Sequence, residues 1–385
     1  MAITKRRKKQ PEYFFDYTLL FVVLFLLGFG LIMIYSTSSY EASLEFNDPA
    51  YYFRKQALSS VIGLGAMVLF AIIPYHFWER FAIPAYLISM VLIALVMTPL
   101  GRESHGARRW LYIGMSVQPA EIAKLSMILV LASLVCRMGK SIKTTKGFMT
   151  VLFVPIPVCL MVYTITDNLS SAIIIFGIAF LMLFVSSPEY KKFLLLFALV
   201  GAVASLAVYS IVQLSESGKL GFRGERILAW LDPEAYASGK GFQTLQALYA
   251  IGSGGVFGKG LGQSMQKLGF LPEAQNDMIF SIICEELGLF GAIAVILLFV
   301  LLIWRFMIVA NNAPDLFGAL LVVGVLGHFA IQVILNIAVV TNTLPNTGIS
   351  LPFISYGGTS VLFLMVEIGL VLSVARGIRF KDAQE

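Results

Sequence analysis

Charge is what this chain of 385 residues has least of. Asp, Glu, Lys and Arg together make up 13% against 58% hydrophobic residues, with a mean hydropathy of +0.85. That composition excludes an ordinary soluble globular domain. Histidine and cysteine are scarce, three of each. Cys136, Cys159 and Cys284 have no CxxC spacing, form an odd set and fall in or beside apolar runs, so they read as buried, ordinary thiols and not as a disulfide framework. No His, Cys, Asp and Glu cluster has metal-site spacing. No period of 20–50 residues marks a repeat architecture. Lys259 follows a glycine, yet no glycine precedes the pair at the Walker A offset and Gly260 stands where Ser or Thr is required, which excludes a P-loop.

Long apolar runs are what the chain does have. A membrane-spanning helix needs roughly 20 apolar residues, and about ten stretches qualify, near 16–36, 57–75, 81–99, 119–137, 148–166, 169–187, 193–213, 277–304, 316–340 and 359–378. The fold class expected is therefore all-α: a single polytopic membrane domain over 1–385, with a large extracellular loop at 214–276 between the seventh and eighth spans. Lys and Arg concentrate in the short loops on one side, at Arg137, Lys140, Lys143, Lys146, Lys191, Lys192 and Arg305, and in the tails 1–15 and 379–385. The positive-inside rule makes that side, and both tails, cytoplasmic. It also accounts for most of the net charge of +6, so no nucleic-acid partner is implied.

The large loop is patterned. Phe242, Leu245, Leu248, Tyr249 and Ala250 recur at helical spacing and suggest a helix at the membrane interface. The next eleven residues, Gly252 to Gly262, include six glycines. Such density permits positive φ and close backbone approach. It reads either as a hinge or as a backbone cradle for anionic oxygens, helped by Lys259 and Lys267. After it, Asp277 stands where a long polar segment meets an apolar helix. Charges inside spans are expensive, and each is a candidate site by default. Glu121 and Lys124, at i and i+3, share a helix face and form either an anchoring ion pair or part of a cavity with Asp277. For Glu285, Glu286 and Glu367, and for Gln332 and Asn336, structural hydrogen bonding is the simpler reading; His328 reads as a packing residue.

Several motifs together resemble the SEDS family of bacterial membrane proteins, which includes FtsW, RodA and SpoVE. They are Tyr35-Ser-Thr-Ser-Ser39, Gly106-Ala-Arg-Arg-Trp110, Gln118-Pro-Ala-Glu-Ile-Ala-Lys124, the glycine-rich run 250–262, Leu271-Pro-Glu-Ala-Gln-Asn-Asp277, Glu285-Glu-Leu-Gly288 and Leu351-Pro-Phe-Ile-Ser-Tyr-Gly-Gly358. The wording is closer to the FtsW/SpoVE branch. Three departures stand out: Gln275-Asn276 where His-Thr is common, Ala120 for Ser, and Asp167-Asn-Leu-Ser-Ser171 for Pro-Asp-Leu-Gly-Thr. The last removes support for a role of Asp167. The resemblance implies a GT-C-like helical fold and polymerisation of lipid II into peptidoglycan outside the cytoplasmic membrane. It carries the family's essential acidic position onto Asp277, and a Glu and Lys pair onto Glu121 and Lys124.

For that reaction Asp277 is the expected general base for a sugar hydroxyl, a contribution of roughly 10²–10⁴-fold, with inversion to a β-1,4 linkage. A helix N-terminus at Asn276-Asp277 would favour its ionised form, so burial or a neighbouring charge has to offset the loss of basicity. The leaving undecaprenyl pyrophosphate needs cationic donors, for which Arg108, Arg109, Lys124, Lys259 and Lys267 are candidates; Glu273 joins them as a substrate contact. A divalent cation could share the task, in which case Asp277 would bind the metal instead. The partner implied is a class B penicillin-binding protein, a transpeptidase, with other divisome or elongation proteins. Two rival readings remain: a lipid II flippase, supported by ionisable residues at 285, 286 and 367, and a noncatalytic scaffold for the transpeptidase.

Overall fold

In the computed structural model, the described residues are 16–104, 107–112, 114, 116–187, 189–215 and 222–378. The tails 1–15 and 379–385, with the basic residues that the orientation argument places there, lie outside them. Fourteen α-helices follow one another among the described residues: α1 Tyr17–Phe46, α2 Tyr51–Ile72, α3 His76–Glu79, α4 Ala82–Leu95, α5 Pro119–Met138, α6 Thr145–Phe153, α7 Pro155–Ile165, α8 Leu169–Ser186, α9 Tyr190–Ser215, α10 Phe222–Leu231, α11 Phe242–Gly254, α12 Ile279–Asn311, α13 Leu316–Val340 and α14 Gly358–Gly377. Among the described residues, nine helical stretches are long and apolar enough to cross a membrane, α6 and α7 counting as one of them, and α4 is a shorter apolar helix of 14 residues. The chain is a multi-pass, all-α membrane protein. The run 81–99 shrinks to α4 because the chain leaves the helix at Val96 and turns into a small sheet.

That sheet is the one element type that hydropathy did not announce. Strands β1 Gly101–Ser104, β2 Ala107–Tyr112 and β3 Ser116–Val117 pair antiparallel in sequence order, with Gly101 opposite Leu111 and Leu111 opposite Val117. Leu111 is fully buried and anchors the sheet.

Local signals start and stop the helices. Asp16 caps α1 by accepting from the Leu19 N–H at 2.8 Å, and Arg305 of α12 pairs with the same carboxylate at 2.7 Å, so one buried acid fixes two helices at one face. Asp315 caps α13 through the Gly318 N–H at 2.9 Å, and Asn168 caps α8 through the Ser171 N–H at 3.0 Å; both satisfy orphan donors of a first turn. Pro119 opens α5, where its missing N–H costs nothing. The core runs through α5, α8, α12, α13 and α14, whose inner faces carry Met127, Ile175, Phe299, Phe329 and Ile368, all almost wholly buried. In lipid such contact is favoured by close packing and not by exclusion of water. Helix α9 differs from the rest, since its apolar window has no buried residue.

The molecule therefore has two faces. One carries Asp16, Arg305 and Asp315. The other carries the sheet, the segment between α9 and α12, and the loop from Thr341 to Gly357, and it is where the candidate residues collect.

Candidate functional site

The approach to Asp277 is a single tight turn. Glu273 adopts a left-handed backbone, φ 56°, and its carbonyl accepts from the N–H groups of Asn276 at 3.0 Å and Met278 at 3.4 Å. The Asn276 amide also donates to the Glu273 carboxylate. The turn delivers Asp277 two residues before α12 begins. There Asn336 of α13 grips the backbone: its Nδ2 donates to the Asp277 carbonyl at 2.8 Å and to the Ile349 carbonyl at 2.6 Å. Four residues earlier, Gln332 donates to the Ser350 carbonyl at 2.9 Å. Ser170 at the start of α8 donates to the Thr347 carbonyl. Gln332 and Asn336 thus hold the loop that closes the site, a more specific task than helix-to-helix bonding.

That loop comes close to the carboxylate. A methyl group on Gly348, φ 68°, would sit 3.5 Å from Asp277 Oδ2, so only glycine both accepts the backbone and leaves the space beside the acid open. Asp277 keeps partial exposure, while its Oδ1 is shut off from solvent and has no hydrogen-bond partner among the described residues. Burial, with the negative charge of Glu273 beside it, pushes the Asp277 carboxyl up from 3.8 to about 7, against the pull of the Arg226 guanidinium. The proximity of a helix start does not lower it: burial wins. The side-chain oxygens of Gln275, Gln332 and Asn336 and the Thr347 hydroxyl are also buried without partners among the described residues. A hydrogen-bonded shell with several unfilled acceptors around one basic carboxylate suits a polar, protonated ligand.

The glycine-rich run packs against a break in α12. Helix α12 breaks at Gly288, φ 67° and ψ −167°, and the run folds onto the break. Lys259 and Gly260 N–H groups donate to the Glu285 and Glu286 carbonyls, both at 2.9 Å, and Leu289 and Phe290 N–H groups donate back to Gly255 and Val256 at 2.9 and 3.1 Å. The two glutamates then clamp the segment that follows. Glu285 pairs with Lys259 at 2.7 Å and accepts from the Ser264 hydroxyl and from the Met265 N–H at 3.2 Å. Glu286 pairs with Lys267 at 2.7 Å and accepts from Ser36 of α1 at 2.8 Å. Lys259 and Lys267 were expected to face phosphate; the structure turns both onto buried carboxylates, which could not be left unpaired in an apolar layer.

Glu121 and Lys124 form a buried ion pair of 2.8 Å at the start of α5. Glu121 Oε2 is left without a hydrogen bond among the described residues, and no hydrogen bond or ion pair joins either residue to Asp277. Arg109 is spent on backbone, donating to the carbonyls of Thr166 at 3.3 Å and Asp167 at 3.0 Å, and so ties the sheet to the α7–α8 turn. Arg108 is exposed and lies 4.0 Å from Glu103. His328 and Glu367 pair at 2.8 Å in the core between α13 and α14. The residues that sequence reasoning missed are Arg226 on α10 and Asn346 and Gly348 in the loop after α13; no spacing in the sequence marks them.

Comparison with known proteins identifies the family and the fold. Residues 17–379 match the family described as cell cycle protein, FtsW/RodA/SpoVE. Stage V sporulation protein E of Bacillus subtilis is 38% identical over 368 residues, covering 95% of this chain and 98% of that protein. A probable peptidoglycan glycosyltransferase FtsW of Trichlorobacter lovleyi is 35% identical over 394 residues and all of both chains. Among solved structures, a chain from a peptidoglycan synthase complex superposes with a TM-score of 0.76 at 27% identity, covering 94% of this chain and 98% of that one. The rod shape determining protein RodA of Thermus thermophilus gives 0.66 at 26%, covering 96% and 98%.

Proposed function

This chain belongs to the FtsW/RodA/SpoVE family of cell cycle proteins, and from that premise we propose that it is a peptidoglycan glycosyltransferase that polymerises lipid II into β-1,4 glycan strands, in division or sporulation. The observation that carries the mechanism is Asp277: a carboxylate with an unfilled oxygen, held from behind by Asn336 and faced by a bare Gly348. Its pKa near 7 matches what a general base needs at neutral pH, ionised often enough to act and basic enough to take a proton. As the sugar 4-hydroxyl attacks the anomeric carbon, its proton passes to Asp277. The bond to the diphosphate breaks, and the electron pair leaves with undecaprenyl pyrophosphate.

Cationic help for the leaving group has to come from residues not already committed. Lys259, Lys267 and Lys124 are each paired with a buried glutamate and Arg109 holds backbone; Arg108, exposed on the sheet and 4.0 Å from Glu103, is the least committed of the candidates, and Glu273 shapes the turn at the acid. A divalent cation fits the donor set in part. Among the described residues no three His, Cys, Asp or Glu side chains could hold a metal, yet Asp277 offers a carboxylate, a hard ligand that suits Mg²⁺ when substrate phosphates complete the shell. Bound there, the ion would offset charge on the departing diphosphate.

The basic residues Arg137, Lys140, Lys143, Lys146, Lys191, Lys192 and Arg305 fall on the face opposite Asp277, which supports cytoplasmic termini and an active site on the extracytoplasmic side of a bacterial plasma membrane. A class B penicillin-binding protein is the proposed partner, met through membrane helices, together with other divisome or elongation proteins. The flippase reading loses its support in the ionisable residues of the spans, because Glu285, Glu286 and Glu367 are each paired inside the protein. The test is direct. Purified protein supplied with labelled lipid II and its transpeptidase partner should yield glycan strands; movement of lipid II across liposomes without polymer would replace this reading with transport.

A further inference from the structure

The face opposite Asp277 carries a group of cations that the fold leaves unspent. After α5 the chain makes a 3₁₀ turn, Gly139–Lys143, and folds straight back into α6. A methyl group on Gly147 would come 2.1 Å from the Ser141 carbonyl oxygen, so only glycine allows so close a return. Thr144 caps α6 by accepting from the Gly147 N–H at 3.1 Å, and its hydroxyl donates to the Ser141 carbonyl at 2.7 Å. The start of α9 is fastened to the same place. Phe193 is buried against the rings of Phe148, Phe180 and Phe184, with centroids 5.3, 5.4 and 5.1 Å away. Lys192 donates to the Thr145 hydroxyl at 3.3 Å and pairs with Glu189 at 2.7 Å. The turn and the two helix starts thereby present Lys140, Lys143, Lys146 and Lys191 together, all exposed.

No acid neutralises them. Glu189 is the only acidic residue in 137–148 and 189–193, and Lys192 takes it. None of the four lysines makes a hydrogen bond or an ion pair among the described residues. The positive-inside rule explains why cations collect on this face, but not why these four stay unpaired. Arg305 and Arg376 of the same face are spent, on Asp16 at 2.7 Å and on the Ala71 carbonyl at 2.9 Å. Directly beside the lysines the surface turns apolar. Met149 and Phe153 follow Lys146 along α6, Leu194 and Leu195 follow Lys191 along α9, and all are exposed. Beyond them the apolar window of α9 has no buried residue. Free cations that border bare apolar surface match an amphiphile with an anionic head, and not a water-soluble acid.

We propose that this lysine cluster is a binding site for the headgroups of anionic phospholipids in the adjoining leaflet, whose acyl chains lie along the bare face of α9. A phosphate held between Lys146 and Lys191 bridges α6 and α9. It thus clips to the bundle the one span that, among the described residues, buries nothing of its apolar window. The proposal stands apart from the chemistry at Asp277 and does not depend on it.

Full-length protein in a neutral detergent is titrated with dioctanoyl phosphatidylglycerol, dioctanoyl phosphatidylcholine and a hexaglutamate peptide. Wild type is compared with a triple variant, Lys143→Gln, Lys146→Gln and Lys191→Gln, and with a control, Arg54→Gln and Lys55→Gln, which alters exposed cations on the Asp277 face. Wild type and control should bind phosphatidylglycerol at least tenfold more tightly than phosphatidylcholine. At roughly fivefold per cation near an anionic surface, the triple variant should lose about a hundredfold and with it the preference, while arginine at the same three positions retains it. Salt at about 0.5 M should erase the wild-type preference with no substitution at all. Equal affinity of wild type for the two lipids, a preference that salt leaves intact, or an equal loss in the control would overturn the proposal. So would a triple variant that melts as wild type does and keeps the preference. Peptide bound as tightly as phosphatidylglycerol would give the patch to an acidic protein segment and overturn the lipid assignment.

Discussion

Asp277 is governed by its surroundings more than by its place in the chain. Sequence reasoning put it at a helix start, where a carboxylate is stabilised in its charged form; burial and Glu273 reverse that and bring it to about 7. The sign of the pH dependence follows. Below pH 7 the carboxyl is mostly protonated and cannot accept the hydroxyl proton; above it the ionised base predominates. The rate of polymerisation by wild type should therefore rise about tenfold per pH unit up to roughly pH 7 and level off beyond. A profile already flat from pH 5 would mean that the charged form is not what limits the rate. Asp277 stood out in the sequence as a carboxylate where a polar stretch meets an apolar helix. Its supporting residues did not. Asn336 looked like a polar residue on a helix face, and only the folded chain brings its amide to two carbonyls, 59 and 13 residues away in sequence.

At the scale of elements, the glycine-rich run and the kink in α12 form one device. Its glycines were visible as a cluster, but the sequence could not say that two of them meet backbone from another segment. Gly288 lies in a region of backbone space that is essentially glycine-only, and a methyl group there would come 2.3 Å from the Gly258 nitrogen. Gly288→Ala should cost at least the ~1–3 kcal/mol of such backbone strain and unfasten the 254–270 segment. Thermal melting and hydrogen exchange read this out: the variant melts earlier, and amides of Lys259, Gly260, Leu289 and Phe290 lose protection together. Protection that stays at the wild-type level would mean the zipper between the two segments does not depend on the kink. The small sheet was unreadable for a different reason. Its strands are two to six residues long, too short for an alternating pattern to stand out.

At the scale of the whole molecule, hydropathy located almost every span, because a bilayer obliges each crossing segment to be both apolar and helical. It could not tell which spans pack and which stand apart, so α9, with no buried residue in its apolar window, reads in sequence like α13. Orientation rests on charge asymmetry between the two faces. Cysteines placed singly at Ala237 and Asn312, both exposed, should report it in intact cells: an impermeant thiol reagent labels position 237 and spares 312. The reverse pattern would put Asp277 in the cytoplasm and separate it from any extracytoplasmic glycan.

The measurement closest to the central claim is glycan synthesis by Asp277→Asn. Asparagine keeps the shape and the backbone grip of Asn336 but cannot accept a proton from the sugar. Purified with its partner and melting as wild type does, the variant should make at least 10²-fold less polymer from labelled lipid II, the lower end of what a general base contributes. Polymer at the wild-type rate would show that Asp277 is not the base.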